Sequence, residues 1–204
     1  MGFLENKRRA RSFYRFLSKV YDTVNPVFWN TAMRDAAIDL LELEGDEKVL
    51  DVGCGTGFAT KALVDNADEV VALDQSPHQL AKALKKPELG EVEFVKGDAE
   101  NLPFADGEFD VVWSSGSIEY WPNPVATLDD MRRVTKPGGK VLVVGPKRPE
   151  NRVLAKMADA VMLFYGDEEA RRMFGEAGWR DVRNFLMGSS YVDEDAIVTI
   201  AKNP

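Results

Sequence analysis

Residues 48 to 57 read Lys-Val-Leu-Asp-Val-Gly-Cys-Gly-Thr-Gly, a short apolar run that passes without a spacer into three alternating glycines. Helical periodicity follows from Thr56 to Asp65. Few folds accept a strand delivered straight into a tight glycine turn and then a helix. Glycine permits positive φ and close approach of a ligand to the backbone, and in open parallel sheets that approach occurs at the carboxyl ends of the strands. The spacing is GxGxG. The dinucleotide fingerprint is GxGxxG, and no GK[ST] ending supplies a lysine for β/γ-phosphates.

The rest of the chain repeats the alternation. Val70–Leu73, Val92–Val95, Phe109–Trp113 and Lys140–Val144 are β-branched or aromatic runs bounded by turn residues. Helical stretches lie at Gln79–Lys85 and Pro124–Val134, and an earlier one at Phe28–Leu43. A helix at Glu168–Ala177 and strands at Val182–Leu186 and Ala196–Ala201 complete the pattern. Alternating strands and helices predict an α/β fold with a parallel sheet covered on both faces. At 204 residues, with no repeat, low-complexity tract or linker, one domain suffices.

Composition removes several chemistries. A single cysteine, Cys54, excludes an internal disulfide, and a single histidine, His78, excludes a Cys/His zinc cage, so no metal site is expected. The net charge of -8 argues against nucleic acid as a partner. Residues 1 to 20 depart from that balance. They carry six basic residues against Glu5, a local +5 that leaves -13 on the remainder. Phe13, Phe16, Leu17 and Val20 recur at helical spacing there. Such a basic amphipathic helix either lies on anionic lipid or docks on the domain with its arginines solvated, and both readings stay open. The segment lacks the apolar run of a secretory signal, and no run reaches the length of a membrane span. The expected location is the cytoplasm, with or without membrane association.

Acidic residues mark the ends of three predicted strands. Asp51 stands two residues before Gly53, a poor neighbour for pyrophosphate and a good one for a cation. Asp74 ends the second strand, where a carboxylate can accept from both hydroxyls of a ribose. Asp98 and Ala99 follow the third, placed to meet an adenine. Together they describe a nucleoside ligand with a positive centre.

This constellation resembles the class I S-adenosylmethionine-dependent methyltransferases. DVGCGTG resembles their first motif, ALDQS the ribose strand, GDAENLPF the adenine motif, FDVVWSSGSIEYW the fourth strand and KPGGKV the turn into the fifth. The resemblance implies a Rossmann-like doubly wound, mostly parallel seven-stranded sheet whose last strand is antiparallel. It implies an N-terminal helical cap over 1–44, a cofactor-binding core over 45–146, and an acceptor lid with C-terminal strands over 147–204. Cofactor residues implied in this way are Asp51, Gly53, Cys54, Gly55 and Thr56 in the glycine loop, then Asp74, Gln75 and Ser76. Asp98, Ala99, Glu100, Ser114 and Ser115 follow, with Tyr21 closing over the methionine end. Cys54 itself reads as a small packing residue.

DQSPHQLAKA, GDAENLPF, GSIEYWPNP, VVGP, ADAVMLF and FGEAGWRDV are more narrowly similar to the 2-methyl-6-phytylbenzoquinol methyltransferases. That similarity implies C-methylation of a prenylated quinol. The transit peptide and hydrophobic C-terminal anchor of plant members are not found in this sequence, which turns the expectation toward a menaquinone-type quinol. Methylation of a sterol or another phenol, or cofactor binding without catalysis, are the alternatives. A base would help by removing a phenolic proton. Glu119, in the loop leaving the fourth strand, and His78, just after the ribose strand, are the two candidates. Each also has a bland reading, as a surface carboxylate and a helix-terminal histidine. Tyr120 and Trp121 are either an acceptor wall or core, and the apolar stretch 153–164 either a lid or a core-facing helix. Oligomeric state is not legible.

Overall fold

The computed structural model describes residues 30–148, 165–189 and 192–204. Seven strands form one sheet: β1 (Lys48–Val52), β2 (Glu69–Asp74), β3 (Glu93–Lys96), β4 (Phe109–Ser115), β5 (Thr135–Pro146), β6 (Arg180–Ser189) and β7 (Val192–Lys202). Their spatial order is β3-β2-β1-β4-β5-β7-β6. The first five pair in parallel, and β7 runs antiparallel between β5 and β6. This is the expected architecture.

Both faces of the sheet are buried, which is why its strands read as nearly continuous apolar runs. Successive residues nevertheless divide between two cores. Val49, Val111, Trp113, Leu142 and Val144 meet helices α1 (Thr31–Asp39) and α2 (Phe58–Val64) through Met33, Ala37, Ala62 and Leu63. Leu50, Val112, Val141 and Val143 share the opposite core with the buried faces of helices α4 (Pro124–Val134) and α5 (Asp167–Glu176). Helix α3 (Pro77–Ala83) packs by β2 and β3 through Leu80.

Local chemistry sets the helix boundaries. Asn30 caps α1 by accepting from Met33 N at 3.0 Å. Asn123 caps α4 by accepting from Ala126 N at 3.1 Å, and Pro124 follows where its missing N–H costs nothing. The predicted turn at KPGG differs. β5 begins at Thr135, and the four residues bulge out between the pairs Phe109↔Thr135 and Val111↔Lys140. Asn203 holds the bulge, its Nδ2 donating to Thr135 O at 2.7 Å while Gly138 N donates to Asn203 O at 3.0 Å. No helix among the described residues is long and apolar enough to cross a membrane.

Candidate functional site

The carboxyl ends of β1, β2 and β4 converge on the glycine loop. Gly53 N and Cys54 N both donate to Leu73 O, at 2.7 and 3.0 Å, folding the loop back across the end of β2. Gly55 N donates to Asp74 Oδ2 at 2.8 Å and Ser76 N to Oδ1 at 2.7 Å. Asp74 is thus fixed between its own turn and the loop. Gly53 lies at φ 76°, and a Cβ there would come within 2.7 Å of the Ser117 side chain. Gly55 has φ 56° and nothing within 4 Å of where its Cβ would stand. One glycine is demanded by protein packing. The other faces open space, a cradle that any side chain would fill.

The electrostatics of this cradle are acidic. Asp51, 1% exposed, accepts from Thr60 Oγ1 at 2.6 Å. Burial pushes its carboxyl up to about 7, against the Thr60 hydrogen bond and with help from the Asp74 charge. Asp74 is also raised by burial, with the Ser76 and Gly55 amides acting the other way. Neither carboxylate is hydrogen-bonded by a lysine or arginine among the described residues. A cationic ligand with hydroxyls to donate relieves both, so the donor set and the open glycine fit S-adenosylmethionine.

Beyond β3, Glu100 N donates to Asp98 Oδ1 at 3.2 Å and Asn101 N to Asp98 O at 3.0 Å, closing a tight turn in which Ala99 packs on the core. Helix α4 braces this turn and the residues after it. Glu100 Oε1 accepts from Asn123 N at 3.1 Å, and Asp130 Oδ2 accepts from Leu102 N at 2.6 Å. Arg133 donates to Asp130, to Asp106 and to the carbonyls of Leu102 and Phe104.

The loop leaving β4 links the glycine loop to the end of β5. Ser117 touches the Gly53 position and accepts from Trp121 Nε1 at 3.0 Å. Ile118 presses on Gly145 at the end of β5. Glu119, between Ile118 and Trp121 in sequence, is 9% exposed, and its Oε2 is buried without a partner among the described residues. Burial pushes its carboxyl up to about 7, its own backbone amide offsetting part of the rise.

Several expectations change. Ser114 is fully buried, and its hydroxyl donates to Val52 O at 2.8 Å, so it braces β4 against β1 instead of offering its side chain to a cofactor. Ser115 Oγ accepts from Trp113 Nε1 at 3.2 Å. Gln75 is exposed. His78 is exposed in the first turn of α3, beyond β2, whereas Glu119 follows β4 on the far side of β1, so the two base candidates are not brought together. Cys54 packs with Ala72 and Leu80, and burial pushes its thiol up, away from nucleophilic use. Trp121 belongs to the core. Thr56 and Tyr120 are half-buried. Tyr21, the basic N-terminal segment and the apolar stretch 153–164 lie outside the described residues. Sequence reasoning missed Thr60, Ser117 and Tyr165. Thr60 carries a weak signal, a polar residue on the buried face of α2. The other two act through contacts between distant strand ends and leave none.

Comparison with known proteins agrees with this geometry. A family model described as a methyltransferase domain matches residues 50–143. The chain is 46% identical to the chloroplastic 2-methyl-6-phytyl-1,4-hydroquinone methyltransferase of Arabidopsis thaliana over 193 residues, 93% of this chain and 57% of the relative. It is 30% identical to the demethylmenaquinone methyltransferase of Mycolicibacterium vanbaalenii over 88% of this chain and 90% of that one. The chain therefore spans little more than half the length of its plant relatives. An S-adenosylmethionine-dependent methyltransferase structure from Aquifex aeolicus superposes with a TM-score of 0.73 at 21% identity, covering 93% of this chain and 98% of that one, a likeness of fold.

Proposed function

The chain belongs to the class I S-adenosylmethionine-dependent methyltransferases, and from that premise we propose that it methylates a ring carbon of a prenylated 1,4-quinol. Relatives named for phytylhydroquinone and for demethylmenaquinone methylation support the acceptor class. The higher identity to the former favours a single-ring quinol over the menaquinone type expected from sequence.

When bound, S-adenosylmethionine supplies an electrophilic methyl group on a sulfonium. The glycine loop, Asp51, Asp74 and the turn at Asp98–Glu100 are the residues that would hold it. The remaining task of the chain is to orient the acceptor, exclude water and move a proton. The observation that carries this reading is Glu119, a buried carboxylate whose Oε2 has no partner among the described residues, two residues beyond the Ser117 that touches the Gly53 position. Phenols titrate near 10, and an acceptor of protons poised near 7 is matched to neutral pH without being permanently protonated. A phenolic proton taken by Glu119 leaves its electron pair on the ring, which raises the nucleophilicity of the carbons ortho to that oxygen.

Incubation with methyl-labelled S-adenosylmethionine and a panel of demethylquinols, reduced and oxidised, alongside a sterol and a simple phenol, tests the proposal. Label is expected in reduced prenylated quinols. Label in the sterol alone contradicts the acceptor class, and cofactor binding without transfer to any of them contradicts catalysis.

A further inference from the structure

Tyr165, which the mechanism above does not use, stands beside Glu119 with the same defect. It is 1% exposed, and its Oη is buried without a partner among the described residues. Its backbone is fixed to the end of β5, Tyr165 O accepting from Arg148 N at 3.1 Å in a bridge with Lys147. Its ring occupies the space above Gly145, where a Cβ would stand 2.7 Å from Oη and 2.8 Å from Cε1. Ile118, next to Glu119, presses on the same glycine. The Glu119 charge acts on the phenol and, with burial as the larger cause, pushes it up. Yet the two groups do not bond to each other.

A buried polar atom without a partner costs about 1–3 kcal/mol, and folded proteins satisfy nearly all of them. Two such atoms in one place, one of which can donate and the other accept, are complementary to a single hydroxyl. We propose that Glu119 and Tyr165 form a two-point receptor for one phenolic hydroxyl of the acceptor, Tyr165 Oη donating to its oxygen and Glu119 Oε2 accepting its hydrogen. This inference rests on the quinol reading and adds a specificity to it. A quinone carbonyl or an aryl methyl ether can take the Tyr165 donor but leaves the carboxylate unpaired, so the pair selects the reduced, unblocked ring. In the proton transfer the O–H bond of the acceptor breaks as an O–H bond forms on Oε2, and the electron pair stays on the ring oxygen under the Tyr165 donor. The reverse transfer restores the hydroxyl in the product, while the ring proton replaced by methyl leaves to water.

The test uses the full chain and its Tyr165→Phe and Glu119→Gln variants with a reduced short-chain prenyl hydroquinone and its two mono-O-methyl ethers. The wild type should prefer the hydroquinone to the ether blocked at the recognised oxygen by about tenfold or more, the scale of an unpaired polar group. Tyr165→Phe should raise the KM for the hydroquinone and for the ether alike, with S-adenosylmethionine affinity unchanged. Glu119→Gln, whose amide can donate to an ether oxygen, should collapse the preference, lower kcat and flatten its pH profile. Because Tyr165→Phe removes an unpaired hydroxyl, the ligand-free variant should melt no lower than the wild type. An unchanged KM in Tyr165→Phe, or an unchanged preference in Glu119→Gln, overturns the receptor. Should no quinol be methylated, the acceptor reading fails by itself, and the receptor is judged with phenol against anisole. A wild-type preference for phenol that Glu119→Gln loses supports it, and equal binding of the two by the wild type overturns it.

Discussion

With φ at 56° and nothing within 4 Å of where a Cβ would stand, Gly55 separates folding from binding. A Cβ there meets no protein atom and pays only left-handed strain, about 1–2 kcal/mol. Gly55→Ala should therefore fold with a modestly lower melting temperature and lose S-adenosylmethionine affinity by about tenfold or more, as calorimetry will show. Glu119 ties activity and stability to pH in opposite directions. Its carboxyl is at 4.5 ordinarily and about 7 in the fold, so between those values the folded state binds more protons than the unfolded one. Stability from this group is fully present below 4.5 and is lost as pH rises toward 7, by on the order of 3 kcal/mol. Activity needs the ionised form and rises over the same interval. Glu119→Gln should flatten the rise of kcat and reduce the slope of the stability curve, Asp51 and Asp74 supplying what remains, as seen in kcat and in melting temperature from about pH 5 to about pH 8. An unaltered rise of kcat with pH in the variant removes Glu119 as the base. The places of the glycines, Asp51 and Asp74 were legible because they stand at fixed steps from the ends of β1 and β2. Ser114 misled because the same strand end alternates faces, and the face it presents is sealed by the Val52 carbonyl.

Among elements, α4 was the most legible, since Asn123, Pro124 and the buried Leu128, Met131 and Val134 carry its start and its face in local chemistry. The start of β5 was not. Thr135 to Gly139 look like a turn, and only pairing with Phe109 and the hold of Asn203 from the far end of the chain make them part of a strand. Nor does a sequence show that α4 disciplines the turn after β3. Arg133 serves two carbonyls and two carboxylates of that assembly at once. Arg133→Met leaves them unserved and should cost about 1–3 kcal/mol of stability. Amide exchange should rise first in residues 98–106, and S-adenosylmethionine should bind more weakly although no contact to it has been removed. Uniform exchange across the sheet would mean that Arg133 is a surface ion pair of little consequence. Gly145→Ala probes the neighbouring junction. Its methyl would press on Tyr165 and Ile118, and the overpacking should lower stability by about 1–3 kcal/mol.

At the scale of the molecule, the class of fold was visible in alternating strands and helices, whereas the antiparallel last strand came only through resemblance and its place between β5 and β6 is seen only in the structure. Pairing order depends on contacts between residues far apart in sequence, and no local pattern encodes it. The net charge of -8 also takes on a different meaning, because Asp51, Asp74 and Glu119 are buried at the carboxyl edge of the sheet and are not surface charge. The acidic cradle accounts for a cationic cofactor, and the buried proton acceptor in the loop leaving β4 for the phenolic acceptor proposed above. The direct measurement is the structure and redox behaviour of the product formed from a reduced prenylated demethylquinol and S-adenosylmethionine. Methylation at a ring carbon leaves both hydroxyls free, and the product should oxidise reversibly to a quinone. A product methylated on oxygen, unable to form the quinone, would contradict the account.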